Sequence, residues 1–149
     1  LVRYLIRLDA IAIDVEIAPD LPTFRCHSQQ IQQVVMNLLT NARDALNEKY
    51  PSAHADKRVK IKVWLDRRQT GRWLMLQVED WGVGISPQVQ ERIFEPFFTT
   101  KPPDRGTGLG LAISYGIVRD HHGLLTCYSV PGECTRFVME LPVDNGWEL

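Results

Sequence analysis

The sequence predicts an α+β fold, a two-layer sandwich in which a mixed, mostly antiparallel sheet of about five strands carries about three helices on one face. Two observations support this prediction. Segments of alternating apolar residues and segments with apolar residues at helical spacing follow one another in mixed order along the chain. Short turns rich in glycine and proline join neighbouring strand segments, which favours antiparallel pairing.

The composition fits one globular domain over residues 1–149. The chain has 44% hydrophobic and 23% charged residues, as soluble proteins do, and its length is enough for one substantial core. The net charge is −1 with both signs interspersed, so no basic field exists that would attract nucleic acid. No apolar run approaches the roughly 20 residues that a membrane helix needs, so direct membrane contact is not expected.

The start of the chain and its cysteines indicate where the domain comes from and in which compartment it works. The chain lacks an initiator methionine and a signal-peptide pattern, which predicts a fragment of a longer protein. Cys26, Cys127 and Cys134 lack the spacing of a zinc site or of a disulfide framework. Reduced thiols and a cytoplasmic location are therefore expected.

The first half of the chain predicts a strand and a long helix. Residues 1–8 have the apolar spacing of a short entering helix, and residues 11–17 alternate as the first strand. Ser28 is the predicted N-cap of the strongest helix in the sequence, which continues to Leu46. Its apolar stripe consists of Ile31, Val34, Val35, Leu38, Leu39, Ala42, Ala45 and Leu46.

The middle of the chain predicts a hairpin followed by a short helix. Residues 59–65 and 73–79 alternate as strands, and residues 69–72 turn between them. Ser86 before Pro87 predicts a helix start, with the helix ending at about Phe94.

The last third predicts an irregular connection, a helix and a second hairpin. Residues 95–105 have no periodicity, and so long a connection in a compact domain indicates a functional or mobile loop. A helix resumes near Thr107 and runs to His121. Residues 124–129 and 135–141 follow as the last two strands.

Asn37, Asn41 and Asp44 form the first group of candidate site residues. At about 100° per residue these side chains cluster beside the apolar stripe of the long helix, rather than opposite it. A half-buried amide costs on the order of 1–3 kcal/mol unless it finds partners, which favours a ligand or metal at this edge. From the helix alone, two asparagines on a solvated edge remain the alternative.

Asp80 is the second candidate. The alternation of residues 73–79 places it on the core face, where an unpaired carboxylate would be costly but a ligand amino group could donate to it. Gly82 and Gly84 would leave room for a flat group such as a purine ring. An ordinary Asp-x-Gly turn is the alternative.

The glycine-rich segment at residues 105–111 is the third candidate. It is neither a Walker A loop nor the dinucleotide-binding fingerprint, because it lacks the residues that each requires after its glycines. What remains is a cluster of backbone amides at a helix start, with the Thr107 hydroxyl and the charges of Lys101 and Arg105, which is suited to phosphate. A flexible glycine-rich helix entry is the alternative.

Together these segments resemble the catalytic ATP-binding domain of bacterial sensor histidine kinases, in the superfamily that includes DNA gyrase, Hsp90 and MutL. Residues 33–46, 80–85, 94–101 and 106–111 resemble the family's N, G1, F and G2 boxes in the family's order. Residues 132–137 are similar to its closing Gly-x-Gly-Thr-x-Phe strand. The resemblance covers nearly the whole chain.

The resemblance implies ATP and Mg²⁺ as cofactors, with Asp80 reading adenine and Asn41 as the metal ligand. It makes residues 94–108 an ATP lid and gives catalytic roles to Asn37, Lys101 and Arg105. The implied nucleotide-binding residues are Asn37, Asn41, Asp80, Gly82, Gly84, Ile85, Phe97, Thr99, Thr100, Gly106, Thr107, Gly108, Leu109, Gly110, Leu111 and Thr135.

Asn37 indicates the reaction within this superfamily. The gyrase and Hsp90 branches have a glutamate there that activates water, and an asparagine cannot take a proton at neutral pH. The resemblance therefore implies transfer to a protein nucleophile, and the F box favours histidine over serine kinases. Asp44 and Cys134 depart from the common lysine and glycine. Asp44 leaves the phosphate contacts to Lys101, Arg105 and the lid amides.

The four histidines, His27, His54, His121 and His122, lack the acidic helical context of the family's phosphoacceptor and are interpreted as structural. The implied partners are therefore an upstream dimerisation and histidine phosphotransfer domain and a downstream response regulator. A nucleotide-gated interaction module, or a serine-kinase-like relative, is the alternative function.

Overall fold

The computed structural model describes residues 9–101 and 108–144 and confirms the predicted fold class. Within these residues, five strands form one mixed sheet in the order β1-β2-β3-β5-β4, in which only the β1–β2 pair is parallel. The strands are β1 (Ala12–Ile17), β2 (Arg58–Arg68), β3 (Gly71–Asp80), β4 (Leu124–Val130) and β5 (Cys134–Pro142). The helices are α1 (Ser28–Lys49), α2 (Pro87–Gln90) and α3 (Gly110–Asp120).

The core lies between the helices and one face of the sheet. Helix α1 buries a stripe of residues four apart, and the central strands supply apolar side chains of one parity. The stripe consists of Val34, Leu38, Ala42 and Leu46. Register places Asp80 of β3 opposite Thr135 of β5, on this same face. The predicted inward direction of Asp80 is confirmed, since only 3% of the residue is exposed.

The other face of the sheet is covered by stacked cationic and aromatic side chains. The Arg58 guanidinium lies 3.6 Å from the Trp81 ring centroid, and Lys62 and Arg68 lie over Trp64 and Trp73. These tryptophans pack on the surface of the sheet, whereas Phe137 lies in the core.

The helix boundaries differ from the predicted ones in several places. Helix α1 begins at Ser28, and His27 is its N-cap without a side-chain cap hydrogen bond. Ser86 caps α2 as predicted, but this helix ends at Gln90 because tight turns follow and bury Ile93. Helix α3 begins at Gly110 rather than near Thr107. Gly108 has φ +72°, which no right-handed helix can include.

Some predictions fall outside the described residues. These are the helix over residues 1–8 and the placement of Arg105, Gly106 and Thr107. The three cysteines, Cys26, Cys127 and Cys134, are free thiols. This agrees with the prediction that their spacing does not form a disulfide framework. Among the helices within residues 9–101 and 108–144, none is both long and apolar enough to cross a membrane.

Candidate active site

A cavity of about 380 Å³ opens between α1 and the end of the sheet where β3 and β5 meet. Three connecting segments complete its walls: residues 83–86 after β3, residues 98–101, and, at the start of α3, Gly108, Gly110 and Leu111. The three groups of candidate residues from the sequence therefore converge on one cavity.

Asp80 lies at the buried end of the cavity. One carboxylate oxygen accepts a hydrogen bond of 2.9 Å from the Gly82 amide. Burial raises the pKa of Asp80 to about 7, and the Gly82 amide opposes this shift only in part. A buried carboxyl group that titrates near neutral pH is typical of a functional position. Asp80 can thus accept from a ligand amino group once it is ionised.

The glycines after Asp80 are required by protein packing. A Cβ at Gly82 would lie 2.6 Å from the Ala45 carbonyl carbon of α1. Gly84 has φ +71°, and a Cβ there would overlap the Val130 carbonyl oxygen. The space that the sequence interpretation left for a purine is thus taken by α1 and the β4–β5 turn. Gly84 still lines the cavity through its backbone, and Gly82 is not among the lining residues.

Asn37 joins α1 to the start of α3. Its side-chain nitrogen donates to the Gly110 carbonyl oxygen at 3.2 Å and to the Ser114 hydroxyl at 3.0 Å. The first amides of a helix have no partner inside the helix, and Gly110 and Leu111 at the start of α3 line this end of the cavity. Asn37 therefore positions the start of α3 relative to α1.

Asn41 and Asp44 lie one and two turns further along α1 and share one cationic partner. The Lys101 ammonium lies 3.3 Å from the Asn41 side-chain oxygen and forms an ion pair with the Asp44 carboxylate. A cation therefore already lies where these two oxygens converge. Oxygen ligands of this kind suit Mg²⁺, which keeps several waters and needs few protein ligands.

The remaining predicted residues are divided between the cavity wall and its rim. Ile85, Thr99, Thr100, Gly108 and Thr135 line the cavity.

Phe97 and Leu109 are not among the lining residues. Phe97 is 74% exposed with φ +66°, and its amide donates to the Gly108 carbonyl oxygen at 2.9 Å. Leu109 is the N-cap residue of α3. Both belong to the rim of the cavity.

Two polar residues of the site were missed by sequence reasoning. The Ser129 hydroxyl accepts from the Ile85 amide at 2.7 Å, and the Gln90 side chain donates to the carbonyl oxygens of Ile85 and Ser129. They tie residues 81–86 to the edge strand β4. Gln90 belongs to α2 and Ser129 to β4, so nothing in their sequence spacing indicates that they meet.

Within the part of the chain that the structure describes, no three His, Cys, Asp or Glu side chains converge as a metal site. A metal in this cavity would thus have few protein ligands and would depend on oxygen atoms of the molecule bound beside it. Such an arrangement is typical of Mg²⁺ bound together with substrate phosphates.

The sandwich fold has a buried carboxylate at one end of its cavity and a helix start beside the Lys101–Asp44 ion pair at the other, an arrangement that suits a nucleotide-binding α+β domain. Residues 26–145 match the family described as histidine kinase-, DNA gyrase B- and HSP90-like ATPase, and the chain belongs to this family. It is an ATP-binding domain of the sensor histidine kinase type.

Individual relatives agree with this assignment. The chain is 42% identical to the two-component sensor PprA of Pseudomonas aeruginosa over 93% of its own length, which is 14% of that protein. It is 35% identical to the signal transduction histidine-protein kinase AtoS of Escherichia coli, covering 93% of this chain and 20% of AtoS. The chain therefore spans less than a quarter of the length of these relatives.

A solved structure shares the fold. The catalytic domain of histidine kinase ThkA, in a nucleotide-free form, superposes with a TM-score of 0.72 at 30% identity. The match covers 95% of this chain and 84% of that one.

Proposed function

We propose that this domain binds Mg-ATP and donates the γ-phosphoryl group to a histidine on a separate dimerisation domain of the same parent protein. The observation that carries the proposal is the polarity of the cavity. Asp80 lies at the closed end, whereas Asn41, Asp44, Lys101 and the start of α3 lie at the other. This arrangement matches a nucleotide whose base is uncharged and whose triphosphate is anionic.

At the closed end, the ionised Asp80 would accept from the exocyclic amino group of adenine. A hydrogen bond to a charged group contributes about 1.5–3 kcal/mol, more than a neutral one. Thr135 lies opposite Asp80 and supplies a second polar atom. The surrounding apolar side chains, Val89, Ile93 and Phe137, would cover the ring.

At the other end, Asn41 would hold Mg²⁺ and Asp44 would face it, once Lys101 moves from these oxygens to the phosphates. Mg²⁺ would neutralise the triphosphate and orient it for in-line transfer. Lys101, the amides of α3 and, by the family resemblance, Arg105 would hold the phosphate oxygens. Positioning and charge neutralisation supply most of the effect in phosphoryl transfer.

Asn37 favours transfer to a protein group over hydrolysis. It cannot act as a base, and its amide nitrogen is committed to Gly110 and Ser114. We assign it a positioning role for α3. The bond between the γ-phosphorus and the β–γ bridging oxygen of ATP would break as the acceptor imidazole nitrogen bonds to the γ-phosphorus, and ADP would leave with the bridging oxygen.

The acceptor histidine would come from outside this chain, since none of its four histidines, all described, lines the cavity. Exposed apolar side chains lie on the elements around the phosphate end: Met36 on α1, Ile113 on α3 and Phe97 on the rim. A dimerisation domain upstream, rich in helices, could pack on them. A response regulator would then take the phosphoryl group, and the domain would work in the cytoplasm.

Residues 94–108 would form a lid over the bound nucleotide. The described part already contacts α1 through Lys101, and the Phe97 amide donates to the Gly108 carbonyl oxygen at the other end of the same segment. Adding Mg-ADP should slow hydrogen exchange in peptides covering residues 97–101 and in those covering residues 80–86. Protection of residues 80–86 alone would refute the lid, and protection of neither segment would refute nucleotide binding in this cavity.

A further inference from the structure

The Ser129 hydroxyl lies behind the closed end of the cavity and has three polar neighbours. It lies 2.7 Å from the Ile85 nitrogen, 2.7 Å from the Cys134 carbonyl oxygen and 2.9 Å from the Thr135 hydroxyl. Ser129 is only 8% exposed and Thr135 only 3%, so these contacts do not compete with bulk water. Each hydrogen bond in this cluster therefore constrains the others.

The number of protons fixes the direction of these bonds. A hydroxyl has one proton, and the Cys134 carbonyl can only accept, so the Ser129 proton points to Cys134. The Ser129 oxygen then accepts from the Ile85 amide and from the Thr135 hydroxyl. With its own proton committed to Ser129, the Thr135 oxygen can only accept from a group in the cavity.

Asp80 lies opposite Thr135 in the β3–β5 register, and both line the cavity. An ionised carboxylate is also an acceptor without a proton to donate. The closed end of the cavity thus presents two acceptors side by side. A ligand edge bearing an amino group complements them, whereas an oxo group at the same place would meet acceptors and remain unpaired.

We propose that Ser129 is a specificity-determining residue that acts through Thr135, holding its hydroxyl as an acceptor so that the cavity selects a 6-amino purine over a 6-oxo purine. The proposal rests on the proposed nucleotide-binding function and extends it. Ser129 does not contact the ligand, so it is a positioning residue.

Gln90 supports the same arrangement. Its side-chain nitrogen donates at 2.9 Å to the Ile85 carbonyl oxygen and at 3.1 Å to the Ser129 carbonyl oxygen. The backbones on both sides of the Ser129 hydroxyl are thereby held together. The backbone atoms that fix the direction of the Ser129 hydroxyl are therefore themselves held in place by hydrogen bonds.

The test is the ratio of the dissociation constants of IDP and ADP, measured with Mg²⁺ at pH 8. ADP has a 6-amino group and an unprotonated N1, whereas IDP has a 6-oxo group and an N1–H. Wild-type protein should prefer ADP. In Ser129→Ala the Thr135 hydroxyl is free to rotate and donate to the oxo group, so the ratio should fall by about five- to tenfold. Thr126→Ala, an exposed change on the same strand facing the other side, should keep the wild-type ratio.

A double-mutant cycle separates positioning from general destabilisation. Thr135→Val removes the hydroxyl while keeping the shape, and adding Ser129→Ala to it should not change the ratio further. Ser129→Cys keeps a similar side-chain volume but replaces the hydroxyl with a thiol, which is a weak donor. This variant tests the proposal if Ser129→Ala fails to fold. Its ratio should lie between those of the wild type and Thr135→Val.

The proposal would be overturned if the folded Ser129 variants bound ADP and IDP more weakly by the same factor and so kept the wild-type ratio. Ser129 would then have a structural role only. A wild-type protein that binds neither nucleotide would refute the proposed function itself, and the specificity proposal with it.

Discussion

Replacing Asp80 with asparagine should weaken ADP binding at pH 8 by at least about tenfold, because it removes a charge-assisted hydrogen bond to the adenine amino group. Asparagine can still accept from the Gly82 amide, so the turn after β3 should keep its shape. Titration with a fluorescent ADP analogue measures the effect. Unchanged affinity would remove Asp80 from the adenine site.

The pH dependence of binding tests the same carboxylate without a change in shape. Burial raises the pKa of Asp80 to about 7 in the free protein, and adenine requires the ionised form. Below pH 7 the protonated group must lose its proton before it can bind, so affinity should rise with pH and level off above about 7. The rise between pH 6 and pH 8 should be about tenfold. Asp80→Asn should remove this component of the pH profile, and a wild-type profile in the variant would contradict the assignment.

Replacing Asn41 with alanine should abolish most of the stimulation of nucleotide binding by Mg²⁺. The side-chain oxygen at this position converges with Asp44 on a shared cation, and no other wall of the cavity offers the same pair within the described residues. Parallel ADP titrations with Mg²⁺ and with a chelator measure the effect.

Asn47→Ala is the matched control, since Asn47 is on the same helix but donates to Asp9 and does not line the cavity. It should respond to Mg²⁺ as the wild type does. An Asn41→Ala protein with the full wild-type response would refute the metal-ligand role.

Local periodicity was enough to predict much of this domain. Strand alternation placed Asp80 on the core face, and helical spacing placed Asn37, Asn41 and Asp44 along the edge of the core, because both depend only on the geometry of a single element. The fold class followed from the order of these elements.

The rest depends on how distant segments meet. Gly82 is required by Ala45, which lies 37 positions earlier, and Ser129 acts on Ile85 and Thr135 from a different strand. The pairing of Lys101 with Asp44 likewise joins segments far apart in sequence. Such contacts have no periodic signal, so reasoning from one sequence could not find them.

Phosphoryl transfer to a histidine is the central claim, and transfer in trans tests it most directly. The domain is incubated with Mg²⁺, γ-labelled ATP and the separately produced upstream segment of its parent protein, with an acceptor-histidine variant of that segment as control. We predict an acid-labile label on the upstream segment, none on its variant and none on the domain alone. Tight ADP binding without transfer, or an acid-stable label, would contradict the claim and favour a nucleotide-gated interaction module or a serine kinase.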